Sequence, residues 1–319
     1  MTATVEPLPS HAGIFSSARR FALPLGPASD PESVRGYPID LRLKAQTACW
    51  PPPELSDPRD DYVFVSQYGL GCFERWLAGD GEHWLAAAVE VGRHLVSSQE
   101  ADGSWLNLAP LRHTFPLRAP WICAMAQGEG ASLLVRLYQE TGEDRFASAA
   151  LGALGPMSRP RSAAGACARL DGDPWPEEYP TDPPSFVLNG AIFAWWGMRD
   201  VAVGLGDAAA AEAFEAGVNA LARQLHRFDS GWWSLYSLYP HPLRPIASSF
   251  YHALHITQLD ATNRLAPRAE FESTRQRWIR YSESVLNRRR AFTSKVLYRL
   301  VVPRNKLLGD RLPWIRHTP

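Results

Sequence analysis

A recurring helical unit limits what this chain can fold into. Each unit has an apolar helix, a short Gly/Asp turn and a second helix. The turns fall at Gly79–Gly81, at Thr141–Asp144 and near Gly204–Asp207, and a fourth unit begins at Phe250. Such hairpins bury their apolar faces only by stacking on one another, and a curved stack closes into a ring. The pattern predicts a mainly α fold of the α/α toroid type, an incomplete (α/α)6-type barrel whose loops line a central cleft.

The segments on either side of the repeats differ in composition. Residues 1–60 are rich in proline and have little helical period, which predicts an extended, partly disordered lead-in. Within this lead-in, the segment Gly36–Ala45 alternates like a short strand. We therefore divide the chain into this lead-in, a toroid domain at residues 61–285 and a basic C-terminal tail at residues 286–319.

Charge and composition exclude several classes of protein. The 319 residues are 45% hydrophobic and carry no formal net charge, so the whole-chain charge gives no reason to expect nucleic-acid binding. No segment has the length and polarity of a signal peptide or a membrane span, which predicts a cytoplasmic protein. The four cysteines are scattered and predict reduced packing residues. Motifs for nucleotide phosphates, zinc helices and serine nucleophiles are absent, and we expect neither metal nor cofactor.

The chain becomes basic from Arg264 onward, including the run Arg288–Arg290. A charge run is most often a solvated helix face with a loosely ordered end. The alternative is a peripheral contact with an anionic polymer or with the inner face of a membrane, which the apolar residues of SKVLYRLVVP would support. The sequence leaves this alternative, and the oligomeric state, open.

The first candidate cluster for chemistry is WPEEYPTDPPSFVLNGAIFAWWG, Trp175–Gly197. Its prolines fix backbone angles, so Glu178 and Tyr179 are presented in one geometry. We predict that Ser185 caps the following helix and that Asn189, about one turn into it, binds a ligand through its amide. The alternative for Glu178 is a solvated loop carboxylate, and the alternative for Asn189 is an amide that only packs between helices.

The second candidate cluster is the stretch Gly231–Leu259. Tyr236 and Tyr239 lie in a predicted loop, and Tyr251, His252 and His255 open the next helix. A single histidine on a helix face is more often a core residue than a catalyst. Two histidines, a tyrosine and a glutamine within eight residues favour a site.

A third stretch, Trp121–Tyr138, has small residues next to Gln127. The glycines at positions 128 and 130 allow close helix packing or close approach of a sugar ring. Twelve tryptophans in the chain suit either carbohydrate stacking or helix packing.

These motifs together resemble the C-terminal catalytic domain of the D-glucuronyl C5-epimerases, which act on heparosan-type glycosaminoglycan precursors. The resemblance covers roughly residues 60–285. It rests on QYGLG at Gln67–Gly71, AMAQGEGASLLVRLY at Ala124–Tyr138, EEYPTDPPSFVLNG at Glu177–Gly190 and YHALHITQL at Tyr251–Leu259.

The resemblance implies a cofactor-independent isomerase that inverts C5 of a uronic acid residue, of the D-glucuronate to L-iduronate type, in a polysaccharide or glycoside. It implies that Tyr251 and Glu178 form the facing acid/base pair, supported by proton relay through Tyr179 and Tyr236. Substrate binding is assigned to seven residues: Gln67, Gln127, Asn189, Tyr239, Arg244, His252 and His255. A tyrosine base needs a lowered pKa, and we expect the two histidines to lower it.

This chain departs from the family pattern where Tyr-Asp-Leu-Arg is expected. The loop here is Tyr236-Ser-Leu-Tyr239, so the arginine for the uronate carboxylate is replaced by Tyr239. Arg244 is the candidate replacement nearby in the sequence.

Other functions remain open. A uronate lyase would share the first step, and a non-catalytic carbohydrate-binding relative would explain the missing arginine. A glycoside hydrolase would need Glu178 with Asp102 or Asp173. The stretch QEADGSW resembles a terpene cyclase motif, but the acidic motifs of those enzymes are absent.

Overall fold

The protein is mainly α-helical, as the repeat pattern predicts. We describe the fold from a computed structural model, which covers residues 33–47 and 61–303. The helices are α1 (Arg42–Thr47), α2 (Tyr62–Leu77), α3 (Glu82–Ser98), α4 (Ala124–Thr141), α5 (Asp144–Gly152), α6 (Leu154–Ser158), α7 (Leu188–Leu205), α8 (Ala208–Gln224), α9 (Ser249–Leu265), α10 (Ala269–Glu283) and α11 (Val285–Val301). The strands are β1 (Leu106–Asn107), β2 (Trp121–Ile122), β3 (Cys167–Leu170) and β4 (Asp173–Pro176), and they form two antiparallel pairs.

The helices form the hairpins that the turns predict. Gly142 after α4 and Gly206 after α7 adopt the left-handed conformation, which ends each helix without the steric cost of a Cβ atom. Asp207 then accepts a hydrogen bond from the backbone N–H of Ala210 at 2.7 Å and so begins α8. Short-range chemistry therefore sets both ends of these turns.

The hairpins pack against one another. The first helices of successive hairpins are in contact, α2 with α4, α4 with α7 and α7 with α9, and each second helix packs on its own first helix. At the α4–α7 crossing, a Cβ added to Gly197 would lie 2.4 Å from Cα of Gly128. Gly128 therefore serves helix packing. Closure of this stack into a complete toroid stays a prediction.

Most of the large aromatic side chains in the core pack against helices. Trp105, Trp175, Trp196, Trp233 and Trp278 are fully buried. Burial of each indole stabilises the fold through the removal of apolar surface from water. These five residues therefore support the packing interpretation of the tryptophan content.

The predicted strand at residues 36–45 is wrong, because none of these residues lies in one of the strands of the fold. Helix α1 begins at Arg42, and the backbone N–H of Arg42 donates to Asp40 Oδ1 at 2.9 Å. Leu41 is buried, and its N–H donates to the buried carboxylate of Glu74 at 2.7 Å. This local capping and the contact with α2 outweigh the alternating pattern. Residues 1–32 and 48–60 of the predicted lead-in, including Cys49, lie outside the described part of the chain.

Much of the predicted C-terminal tail is helical. Helix α11 covers residues 285–301 and packs on α9 and α10, with Ala291 and Tyr298 buried. Among the described residues, no helix combines the length and apolarity needed to cross a membrane. The remaining residues of the predicted tail, 304–319, lie outside the described part of the chain.

Candidate functional site

The loop between β4 and α7 is held in shape by Glu177. Its carboxylate accepts hydrogen bonds from the backbone N–H and the hydroxyl of Ser185, at 2.6 and 2.7 Å, and from the N–H of Phe186 at 2.8 Å. The predicted capping role of Ser185 is wrong, because its hydroxyl is bonded to Glu177 and α7 begins only after Val187. Glu177 therefore folds the loop back on itself and fixes the position of its neighbour Glu178.

Glu178 lies against the first turn of α7, and its carboxyl group is buried. Asn189 donates from Nδ2 to Glu178 Oε2 at 3.4 Å, and Tyr179 and Tyr236 donate their hydroxyls to the same carboxyl group. Burial raises the pKa of Glu178 from 4.5 to about 7, although these hydrogen bonds oppose the shift. A carboxyl group with this pKa can accept and release a proton near neutral pH.

Tyr236 comes from the loop between α8 and α9. Its backbone N–H donates to the carbonyl of Pro245 at 2.8 Å, and its own carbonyl accepts from the N–H of Leu188 at 3.1 Å. The second bond joins this loop to the first residue of α7. The two loops that carry Glu178 and Tyr236 are thus fixed to the same helix end.

Tyr251 enters the site from the start of α9. Its backbone N–H donates to Oγ of Ser248, which caps the helix, at 3.3 Å. The Tyr251 and Tyr236 rings are 4.7 Å apart between centroids. The structure therefore brings together the four predicted catalytic residues Glu178, Tyr179, Tyr236 and Tyr251, which come from three separate stretches of the sequence.

Both tyrosines that donate to Glu178 are half-buried, and their hydroxyls are shielded from solvent. Desolvation, followed by the charge of Glu178, holds the pKa of Tyr179 and that of Tyr236 well above the usual value of 10. Their hydroxyls are therefore protonated at neutral pH and act as hydrogen-bond donors. The hydroxyls of Tyr179 and Tyr236 also lie within hydrogen-bonding reach of each other.

An aromatic wall, formed by Phe115, Tyr179, Tyr236, Tyr239 and His241, borders the site. The ring of Phe115 stacks on Tyr179 at 4.7 Å and lies 6.2, 5.6 and 5.6 Å from the other three rings in that order. Phe115 and His241 were not predicted from the sequence. Phe115 is an isolated aromatic residue between prolines and His241 lies in a loop, so neither belongs to a periodic pattern. Tyr239 lies in this wall, as its assignment to substrate binding requires.

Asn189 has an unused hydrogen-bonding atom in the site. Its side chain is 2% exposed, and its Oδ1 atom is buried without a hydrogen-bond partner among the described residues. A buried amide oxygen without a partner costs free energy that a bound hydroxyl group would recover. Asn189 is the second residue of α7, so it lies nearer the helix start than the sequence predicted.

The predicted substrate ligands Gln127 and Gln67 instead support the fold. The amide of Gln127 donates to the carbonyls of Gly103 and Ala153, at 2.9 and 3.1 Å, and accepts from the N–H of Trp105 at 2.8 Å. Gln67 donates to Glu129 at 2.9 Å, and both side chains are buried. These bonds place both glutamines in the packing between helices, and their assignment to substrate binding stays a prediction.

The two predicted histidines form a separate buried cluster. Nδ1 of His252 and Nδ1 of His255 lie 2.8 and 3.0 Å from Oγ of Ser234, and Nε2 of His252 is 3.1 Å from the carbonyl oxygen of Trp278. Burial lowers the pKa of His252 to about 4 and that of His255 well below 6.5. Neutral histidines cannot stabilise a phenolate by charge, so the expectation that they lower a tyrosine pKa is wrong.

Arg244, Asp102 and Asp173 make no contact with the group of residues around Glu178 that the structure shows. Arg244 is exposed, and the described residues provide its guanidinium with no hydrogen bond or ion pair. Asp102 pairs with Arg159, and Asp173 accepts from the guanidinium of Arg223 at 2.6 Å. Their pKa values are lowered, first of all by hydrogen bonds from Ser104 and Arg223 respectively. Each of these two carboxylates is therefore engaged by an arginine.

The described cysteines are free, and they form no metal site with other side chains in this part of the chain. Cys72, Cys123 and Cys167 are free thiols, as predicted, and burial raises the pKa of Cys72 to about 12. Within the described ranges, no three His, Cys, Asp or Glu side chains converge as metal ligands.

Gly190 allows Glu178 to approach α7, and we expect Gly190→Ala to lower kcat/KM by about a hundredfold. An added Cβ would lie 2.6 Å from Oε2 of Glu178, and small displacements of a reacting group are costly. The matched control is Gly155→Ala, where the nearest atom to an added Cβ is 3.7 Å away. Both variants are assayed for the C5 hydrogen exchange that the resemblance implies, and for thermal unfolding. Equal rates in the two variants would contradict the placement of Glu178.

Comparison with known proteins gives consistent matches. The sequence model of a family described as "D-glucuronyl C5-epimerase C-terminus" matches residues 105–280. The D-glucuronyl C5-epimerase of Caenorhabditis elegans is 30% identical over 206 residues, which are 59% of this chain and 33% of that protein. An uncharacterized protein of Methanocaldococcus jannaschii is 24% identical over 215 residues, 61% of this chain and 68% of that protein. The matched region thus spans about a third of the nematode relative.

Proposed function

This chain belongs to the D-glucuronyl C5-epimerase C-terminus family, and from that membership we propose that it inverts C5 of a uronic acid residue within a polysaccharide or glycoside. The proposed change is of the D-glucuronate to L-iduronate type and uses no cofactor. The observation that carries the proposal is the hydrogen-bonded group of Glu178, Tyr179 and Tyr236 next to Tyr251. It supplies a base with a pKa near neutrality together with protonated donors.

The first step is removal of the C5 hydrogen as a proton. This hydrogen is weakly acidic because the neighbouring carboxylate takes up the electron pair that the C–H bond leaves behind. Glu178 accepts the proton in its ionised form, and the hydroxyls of Tyr179 and Tyr236 orient its carboxylate. Asn189 holds the sugar through its Oδ1 atom, which accepts a hydrogen bond from a substrate hydroxyl.

The second step is protonation of C5 on the opposite face. Tyr251 donates its hydroxyl proton to carbon, the electron pair returns from the carboxylate to form the new C–H bond, and a phenolate is left on Tyr251. Tyr236 adjoins Tyr251 and is hydrogen-bonded to Glu178, so it can pass a proton to that phenolate and take up the abstracted proton from Glu178. Exchange of these O–H protons with water between turnovers supplies the solvent hydrogen that appears at C5. No net proton is gained or lost, and the site is restored for the next residue.

A uronate lyase shares the first step, and a direct experiment separates the two activities. The protein is incubated with heparosan in deuterated buffer, and C5 is followed by NMR. We expect deuterium at C5 and unchanged chain length. An unsaturated, ultraviolet-absorbing product would show a lyase instead, and binding without exchange would show a non-catalytic relative.

We expect kcat/KM for C5 exchange to rise with pH through about 7. Glu178 must be ionised to act as a base, and its pKa is raised to about 7, so lower pH protonates the base. Below this pKa the rate falls by about tenfold for each pH unit. The measurement is deuterium incorporation between about pH 5 and 8.5 at low substrate. A rate that rises near the ordinary carboxyl pKa of 4.5, rather than near 7, would argue against Glu178 as the base.

A further inference from the structure

Helix α11 brings a cation to the proposed active site from outside the region that the family model matches. Lys295 is half-buried, with its Nζ 5.9 Å from the ring centroid of Tyr236 and 5.2 Å from that of Tyr298. The same Nζ donates to the carbonyl of Ile246 at 3.2 Å. The ammonium group is therefore held in place beside a residue that hydrogen-bonds the proposed base.

The part of α11 that carries Lys295 is fixed to the site by its neighbours. Tyr298 is 2% exposed, and its ring meets that of His241 edge-on at 5.2 Å. Arg299 lies over the Tyr298 ring at 5.3 Å and donates to Oγ1 of Thr114 at 3.0 Å, which ties the helix to the loop that carries Phe115. Residues of α11 thus contact the aromatic wall at two places.

The proposed chemistry needs a cation in this region. When the C5 proton leaves, a second negative charge builds up on the substrate carboxylate, and a fixed cation in a partly buried site stabilises that charge strongly. Tyr236 contacts both Glu178 and Lys295. A uronate whose C5 faces Glu178 can therefore turn its carboxylate, one bond from C5, towards the ammonium group.

We propose that Lys295 binds the carboxylate of the uronic acid residue, so that α11 completes the substrate site. The inference rests on the proposed function and adds to it the residue that recognises the acidic group. Consistent with a positive potential at this position, the pKa of His241 is lowered to about 4 by burial, then by Arg299 and Lys295. Arg244, the candidate from the sequence, is exposed and plays no part in this assignment.

The test compares two polymers on the full chain. Binding is measured for heparosan and for the same polymer after chemical reduction of its carboxyl groups to alcohols. We expect Lys295→Gln to weaken heparosan binding by about 10- to 100-fold, the usual size of a charge-assisted contact. The reduced polymer should bind the unchanged protein more weakly, and the variant should change that affinity by less than about threefold.

Two further variants exclude indirect effects. Arg289→Gln removes the same charge from the exposed part of α11, and only the diffuse attraction of a basic surface should be lost. Lys295→Arg keeps the charge and should recover most of the affinity that Lys295→Gln loses. Thermal unfolding of each variant shows whether loss of the bond to Ile246 alters the fold.

The outcomes separate this inference from the proposed function. The role of Lys295 would be overturned if Lys295→Gln and Arg289→Gln lost the same affinity for heparosan, or if Lys295→Gln lost the same affinity for both polymers. It would also be overturned if the protein without substitutions bound both polymers equally well. A carboxylate-dependent effect of Lys295 without C5 exchange would keep Lys295 as a ligand and reject epimerisation. C5 exchange with unchanged kcat/KM in Lys295→Gln would support epimerisation and reject Lys295 as the carboxylate ligand.

Discussion

Glu178→Gln is expected to lower kcat for C5 hydrogen exchange by about a thousandfold, within the range for loss of a general base. The amide has nearly the same shape as the carboxyl group and can still accept hydrogen bonds from Tyr179 and Tyr236. It cannot take a proton from carbon near neutral pH. The measurement is the rate of deuterium incorporation at C5 of heparosan, with polymer affinity measured in parallel.

Stability provides the control for this variant. The folded-state pKa of Glu178 is raised, so the folded protein holds a proton that the unfolded chain releases, and this contribution to stability is lost as pH rises from about 4.5 to about 7. We therefore expect Glu178→Gln to be at least as stable as the unchanged protein above pH 7. An inactive variant that is also destabilised there would point to misfolding, and a fully active one would exclude Glu178 as the base.

Tyr251→Phe is expected to lower the rate of inversion by about a hundredfold or more, because it removes only the proposed proton donor. Hydrogen exchange should behave differently. Glu178 can still remove and return the proton of the epimer whose C5 hydrogen faces it, so that epimer should exchange with deuterated solvent without inverting. The other epimer should do neither. NMR of polymers enriched in each epimer measures both processes separately.

The matched control is Tyr138→Phe, in the last turn of α4. It removes a hydroxyl from another half-buried tyrosine outside the site, and we expect unchanged inversion. Equal loss of exchange for both epimers in Tyr251→Phe would favour a single base acting on both faces. Full inversion in this variant would remove Tyr251 from the mechanism and leave Tyr236 as the candidate donor.

Much of the helical framework could be predicted from short stretches of sequence. Helix period, a glycine such as Gly142 and a capping residue such as Asp207 act over a few residues, so their effects are visible in a short window. The same local logic failed at Ser185. Its hydroxyl could cap a helix or bond a carboxylate, and only the folded loop shows that Glu177 takes it.

The candidate site was only partly visible in the sequence. The proline-rich loop predicts that Glu178 and Tyr179 are held rigidly, and the resemblance adds Tyr236 and Tyr251. The histidines were misjudged because closeness within eight residues of the sequence does not say what the helix face that carries them contacts. His252 and His255 turn towards Ser234 and become neutral through burial.

The sequence by itself determined the mainly helical hairpins and a loop that presents Glu178 beside Tyr179. Only the tertiary structure decided that this carboxyl group is buried, that Tyr236 and Tyr251 lie next to each other, and that Lys295 reaches the same aromatic wall. The physical reason is range. Caps and helix period depend on neighbours along the chain, whereas desolvation, ring packing and the position of a distant cation depend on segments that meet only after folding.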